Sequence, residues 1–125
     1  MKSPALTLQK AIYERLNGVV PVYDTVPEGT PLPYVVIGED MATDWSTKLQ
    51  NGQEVTVTLH VWSDYDGMAE VKALASTVLE TLTANPLSVT GFDMVLCRLD
   101  LLQFMVDPEG YKHGVLRLSF KMLEM

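Results

Sequence analysis

Glu54-Val55-Thr56-Val57-Thr58-Leu59-His60-Val61-Trp62 decides the fold. Val55, Val57, Leu59 and Val61 fall at every second position and point to one face of an extended chain. Glu54, Thr56, Thr58 and His60 point to the other, and Trp62 closes that row. Nine alternating residues, rich in β-branched types, specify a half-buried strand. Ser63-Asp64-Tyr65-Asp66-Gly67 breaks the pattern. Val71, Leu74, Ala75, Val78, Leu79 and Leu82 then recur at spacings of three and four, the helical period. Asn85-Pro86 stops that helix, because proline disfavours the helical conformation of the residue before it. The strand's apolar row and the helix's apolar stripe are the two surfaces expected to close on each other.

Upstream, Ser3-Pro4 suits an N-cap followed by proline at the first helical position. Ala5, Leu8, Ala11, Ile12 and Leu16 form one stripe of a first helix, about four turns long, which Asn17-Gly18 ends. Val19–Tyr23, interrupted by Pro21, is either a connector or a brief edge strand. Asp24–Pro33, with four prolines or glycines, reads as an ordered loop. Tyr34–Glu39 is a strand whose consecutive apolar residues suggest burial on both faces.

Asp40–Gln53 reads as a polar connection of fourteen residues. Connections that long in a small domain tend to be functional or mobile. Its conspicuous residue is Trp45, which either folds back on its own domain or anchors a partner, as loop aromatics often do.

Downstream, Met94–Val106 reads as a strand. Val95, Cys97, Leu99 and Leu101 share a face with Met105, and Arg98 and Asp100 share the other with Leu102, Phe104 and Val106. A bulge at Leu101-Leu102 would swap the faces. Asp107-Pro108-Glu109-Gly110 is a turn. Leu116, Leu118, Phe120 and Met122 then alternate with Arg117, Ser119 and Lys121, so the last two strands form a hairpin. Arg117 and Lys121 could sit across from Asp100 or other acids on the neighbouring strand. The order α-β-β-α-β-β predicts an α+β fold, an antiparallel sheet of about four strands with two helices packed on one face.

The whole chain, 125 residues with 47% hydrophobic and 20% charged side chains, has the composition of one globular domain, not of a disordered segment. Its formal charge of −7 and nine scattered basic residues argue against general nucleic-acid binding, which needs clustered Lys and Arg. No signal-peptide pattern and no apolar run of membrane-spanning length is present, so a reducing compartment and no membrane partner are expected. Cys97, the lone cysteine, reads as a small buried hydrophobe.

Catalytic chemistry finds little purchase. His60 and His113 have no nucleophile near them in sequence, and with one cysteine they do not compose a zinc site. Asp64 and Asp66 begin like a calcium loop but lack its terminal glutamate. They are expected instead to cap the second helix, where acids suit the helix dipole. The glycines are isolated, so no phosphate-cradling loop exists. No catalytic residue, metal site or cofactor is assigned. The residues alone favour a binding or structural role over catalysis and name no partner.

Four pieces of the chain carry a resemblance. They are Leu8–Leu16; Val22–Pro27 with Leu32–Gly38; Asp44-Trp45-Ser46-Thr47-Lys48 leading to Val57–Ser63 and the Gly67 helix; and Asp107–Gly110 with His113–Leu118. In this order and spacing, the chain resembles the tail-completion, or tail-terminator, proteins of long-tailed bacteriophages and related prophages. The resemblance implies a non-enzymatic virion protein at the head-proximal end of the tail, assembled in the host bacterial cytoplasm. It implies a ring, typically of six, that caps the tail tube, stops its polymerisation and offers the surface that joins the head. The implied partners are further copies of the chain, the tail tube protein and a head-completion or connector protein, with phage DNA passing through and no sequence-specific contact to it. Asp44, Trp45 and Lys48 are the candidates for reaching a neighbouring subunit or the tube. Thr56, Thr58 and His60, the outward row, are the second set. A head-closure or adaptor protein is the alternative within virion assembly, and a small-ligand-binding α+β domain the alternative outside it.

Overall fold

The alternating stretch forms strand β3 (Gly52–Ser63), and its inner row is buried completely or nearly so. The computed structural model describes residues 1–125. Around β3 lie helix α1 (Ala5–Leu16), strands β1 (Val22–Tyr23) and β2 (Tyr34–Asp44), helix α2 (Ala69–Thr83), and strands β4 (Phe92–Val106) and β5 (Lys112–Glu124). The five strands make one sheet in the order β1-β2-β3-β5-β4. Both helices pack on the same face. Val71, Ala75, Val78 and Leu82 of α2 and Leu8, Ile12 and Leu16 of α1 join the inner rows of β3 and β5 in one core cluster. Leu116, Leu118, Phe120 and Met122 are the β5 contribution, all fully buried, as their alternation predicts.

The sheet is mixed and has five strands, not four antiparallel ones. β1 is real but only two residues long, and it pairs parallel to β2, Val22 with Val35 and Tyr23 with Val36. The other three pairings are antiparallel. β2 also continues to Asp44, so the connection expected over Asp40–Gln53 shrinks to the hairpin loop 45–51. Polar Asp40–Asp44 extends a strand because its inner neighbour β3 offers a ladder there and its outer side faces solvent. Burial of β2 on both faces does not occur. Val35 and Ile37 are buried, Val36 is half-buried, and everything beyond Gly38 is exposed.

β4 changes face twice. Its register against β5 shifts between Met94 and Leu96 and again between Leu99 and Leu101. Cys97 and Leu99 stand opposite Phe120 and Leu118, and Leu102 and Phe104 stand opposite Leu116 and Gly114. These four therefore share the helix-side face, and the second swap falls at Asp100, before the Leu101-Leu102 pair. Each bulge inserts one residue and turns the following side chains over. Cys97 is only half-buried, packed against the edge of the core, and its burial raises the thiol pKa.

The helix ends differ from the expected caps. α1 begins one residue later than Ser3-Pro4 suggests, with Pro4 at the N-cap and no side-chain cap; the Ser3 hydroxyl still accepts from the Ala5 N–H at 3.3 Å. Gly18, at φ +85°, provides the expected left-handed turn after Asn17. Asp64 and Asp66 do not cap α2. Ser63, fully buried at the end of β3, donates to Glu70 in the first helical turn at 2.7 Å and accepts the Tyr65 N–H at 3.1 Å. At the other end of α2, Arg15 of α1 donates to the carbonyls of Thr81, Asn85 and Pro86 at 3.0–3.4 Å. Thr81 lies in the last turn and Asn85 and Pro86 just beyond the helix's negative end, so one cation satisfies these carbonyls and ties the helices together.

Leu59→Ala is expected to cost about 2–5 kcal/mol, since the site lies between sheet and helices and cannot collapse freely. Leu6→Ala, 78% exposed on α1, is expected to change stability by no more than about 0.5 kcal/mol. Urea unfolding of the two variants checks the contrast.

Candidate assembly surface

The face of the sheet opposite the helices carries no covering layer. Its rows are Glu54, Thr56, Thr58, His60 and Trp62 on β3, with Lys121, Ser119, Arg117, Val115 and His113 across from them on β5. A concavity there is lined by Glu39 and Asp40 of β2, Thr56 and Thr58 of β3, Asp100 of β4 and Arg117 of β5. Three carboxylates and one guanidinium make it polar and net negative.

Two side-chain networks organise this face. At one end Glu54 accepts from the Ser119 hydroxyl at 2.7 Å, and Arg98 lies 3.8 Å from the same carboxylate. Arg98 also donates to Asp100 at 3.1 Å. Asp100 is thus paired with Arg98 on its own strand, not with Arg117 or Lys121. Lys121 instead sets its ammonium 5.4 Å above the Trp45 ring, a cation–π arrangement.

At the other end His60 bridges two partners. Its Nε2 lies 2.9 Å from the Glu39 carboxylate, and its Nδ1 lies 2.8 Å from Nε2 of His113. His113 in turn stacks flat on Trp62, with ring centroids 3.9 Å apart and planes within 8°. With both rings neutral, the network assigns Nε2–H of His60 to Glu39 and Nε2–H of His113 to His60. Protonation of both rings would set N–H against N–H across 2.8 Å. Gly38 makes room for this chain. A Cβ there would lie 2.6 Å from His60 Cδ2 and 2.9 Å from the Thr58 carbonyl oxygen. Gly38 occupies the register shift between Ile37 and Asp40, where the bulge brings Glu39 to His60.

The structure separates the residues singled out in the sequence into two places. Thr56, Thr58 and His60 stand in one row on the open face, but Thr58 is buried, 4% exposed. Asp44, Trp45 and Lys48 lie at the β2–β3 hairpin tip, about 26 Å along β3 from His60 at ~3.3 Å per residue. Asp44 accepts the Ser46 N–H at 3.2 Å, closing the turn. The Trp45 ring is half-buried under Lys121 and so lies against its own sheet, and its backbone N–H donates to the Gly52 carbonyl at 2.9 Å. Lys48 is exposed. Leu49 beside it is 97% exposed, a contact candidate that sequence reading passed over, although a leucine in a polar loop is itself a signal. Glu39, His113 and Arg98 also join the site only through strand register and bulges, which no local pattern announces.

No cluster of three metal-ligating side chains is present. Two concavities lie between helix and sheet, one between Leu82 of α2 and Met94 and Cys97 of β4, the other between Tyr13 of α1 and Ile37 of β2, and both open at the margins of the sheet.

Two shifts give this face a pH response. The His60 hydrogen bond, chiefly, holds the Glu39 carboxyl below the ordinary carboxylate range. Burial, aided by the neighbouring His60, lowers His113, against opposing pulls from Asp107 and Glu39. The folded chain thus binds both protons more weakly than the unfolded chain does. As pH falls below 6.5 the unfolded state takes up more protons at His113, and below 4.5 it does so at Glu39. Stability falls in both windows. In urea unfolding, His113→Gln is expected to flatten the decline between pH 6.5 and about 5 while leaving the one below 4.5.

The comparisons with known proteins agree on one family. Residues 5–122 match the family model for tail completion protein gp17. The tail completion protein gp17 of Bacillus phage SPP1 is 37% identical over 127 aligned positions, covering 95% of this chain and 94% of that one. The solved structure of bacteriophage SPP1 gp17 superposes with a TM-score of 0.66 at 35% identity, over 95% of this chain and 91% of that one. A chain in the virion of a native gene transfer agent particle superposes with a TM-score of 0.87 at 25% identity, over 98% and 99%. Sequence, fold and coverage together place this chain in the tail completion protein gp17 family, a structural component of the phage virion tail.

Proposed function

We propose that the protein closes the tail as a ring of identical subunits, most simply six, seated on the head-proximal end of the tube. There it ends tube polymerisation and presents the surface to which a head-completion or connector protein binds. The observation that carries this reading is the family match across nearly the whole chain. The architecture supports it: one apolar face is sealed by two helices, and the other is a bare polar face ready to line a passage. That face is net negative around its concavity, so it would repel passing DNA and not hold it. The β2–β3 hairpin tip, with Asp44, Trp45, Lys48 and Leu49, projects beyond the core and is the segment placed to reach a neighbouring subunit or the tube.

Copies charged −7 apiece repel one another, and salt screens exposed charge over roughly 10 Å at 0.1 M. Absolute mass from light scattering is expected to show a closed hexamer that is more populated at high salt than at low. Assembly that weakens as salt rises would instead indicate salt-bridged interfaces. A strict monomer at all salt concentrations that also fails to co-sediment with tail tubes would overturn the tail-cap reading.

Trp45 reports on the hairpin. In a Trp62→Phe background its emission is expected to shift on assembly. Identical spectra for free and assembled protein would remove the tip from the interface.

A further inference from the structure

The sheet ends on two unpaired edges. β1 covers β2 only at Val35 and Val36, which leaves the outer edge of Ile37–Asp44 free. On the far side β4 has no neighbour beyond it along its whole fifteen residues. Free edges of this kind are templates for pairing with another chain, and proteins usually blunt them with lysine or proline, with bulges or by keeping them short. Neither Ile37–Asp44 nor β4 contains a lysine or a proline, and between their bulges Asp40–Asp44 and Leu96–Leu99 remain regular runs level with each other. β4 is also unusually apolar for an edge. Five of the chain's fourteen exposed large apolar side chains, Val95, Leu96, Leu99, Leu102 and Val106, fall on this one strand. On the other edge Met41 is 64% exposed.

The two edges are matched in direction and in height. β2 to β3, β3 to β5 and β5 to β4 are three successive antiparallel steps, so β2 and β4 run in opposite senses. Following the register across the sheet, Ile37 is level with Leu59, Leu116 and Leu102, and Asp44 with Gln53, Met122 and Met94. The free stretch of β2 therefore stands level with Met94–Leu102 of β4, which holds four of the five exposed apolar side chains. A copy rotated about an axis lying along the strands presents its β2 edge to this β4 edge, antiparallel and at the same height.

We infer that Met94–Leu102 of one subunit pairs with Ile37–Asp44 of the next, joining their sheets. This inference rests on the ring proposed above and names its contact. The occupant of each edge is a second copy of this chain. The contact is heterologous, using two different patches, which is what a closed ring requires. A β4–β4 contact would satisfy one edge, leave Ile37–Asp44 bare and stop at a dimer. A β2–β2 contact would set Glu39, Asp40 and Asp44 against their own copies. In the β4–β2 contact Arg98 is level with Met41, through Ser119 and Thr56, and so comes beside the acidic edge as its one strand-borne cation.

Leu96 and Thr43 give the test. They are level through Lys121 and Glu54 and face the open side of the sheet. Antiparallel neighbours have Cα atoms about 4.5–5.5 Å apart, within disulfide range. In a Cys97→Ala background, Leu96→Cys with Thr43→Cys is expected to give, on mild oxidation, a ladder of covalent oligomers ending at the mass of the closed ring. Each single cysteine variant is expected to stay uncross-linked. Covalent dimers from Leu96→Cys alone would replace the inference with a β4–β4 contact. Rings seen by light scattering, or on tail tubes, with no covalent ladder would overturn the edge contact and leave the tail-cap reading standing. A second variant, Leu96→Glu, faces Lys121 within its own sheet and adds an acid to the interface. Its circular dichroism is expected to match the parent's while its hexamer fraction drops at least tenfold. Unchanged assembly would equally overturn the contact.

Discussion

Val55, Val57, Leu59 and Val61 are removed almost wholly from water, and they can be removed from one side only. Each such side chain is worth about 1.5–3 kcal/mol when fully buried, so the row has to meet another apolar surface. The chain supplies one immediately, because α2 follows β3 after five residues and lays Val71, Ala75, Val78 and Leu82 over it. β5 extends the same surface from the other side of β3 with four fully buried residues. Once this layer has closed, α1 has one place left, beside α2 over the β1–β2 end of the sheet. Arg15 fixes it there through the carbonyls at the end of α2. The one-sidedness of the whole molecule follows from the one-sidedness of β3.

The bare face is stabilised differently. Thr58 and Ser119 are buried there without any second layer, because long neighbours lie across them. No buried side-chain nitrogen or oxygen lacks a hydrogen-bond partner. Such networks define position more than they add stability, since an exposed ion pair contributes about 0–1 kcal/mol. Arg98, Asp100 and Glu54 tie together one end of the face, and the Glu39–His60–His113–Trp62 stack ties together the other. Both networks depend on bulges, at Gly38-Glu39 on β2 and around Asp100 on β4, which aim side chains that a regular strand would send elsewhere.

Elements fixed by a strict period were legible in the sequence. The inner rows of β3 and β5, the stripes of both helices and the packing of both helices on one face all follow from spacing two or spacing three and four. Errors cluster where the period breaks. Asp40–Asp44 looks like a loop because it is polar, yet an edge of strand needs only one ladder partner and no burial. The swap in β4 lies at Asp100, since the choice between two neighbouring bulge positions depends on which register lets Leu99 and Leu102 both face the helices. Asp64 and Asp66 have the chemistry of a helix cap but stand too far before Ala69, and Ser63 with Glu70 makes the junction. The candidate surface was legible as two separate sets, the hairpin tip and the outward row. Its wiring was not, because Glu39, His113 and Arg98 are brought to their partners by pairing between strands distant in sequence.

A sheet sealed on one side and left open at both edges is an incomplete object in the sense that matters for assembly. A catalytic or ligand-binding domain concentrates its irregularities around an enclosed cavity, and the concavities between helix and sheet here are open clefts at the sheet's margins. The irregularities lie instead on the open face and the edge strands. β4 spends fifteen residues in an edge position, two bulges included, and keeps apolar side chains exposed along it. Exposed apolar edges are a liability for a protein meant to remain alone. They become an asset when the neighbour is a second copy arriving at the same height and in the opposite sense. In the proposed ring, the closure that hides the edges would turn every bare face toward a common axis, where their carboxylates would repel a polyanion passing through. The burial of one strand row then accounts for the inside of the subunit, and the bare polar face opposite it suits the inside of the proposed ring.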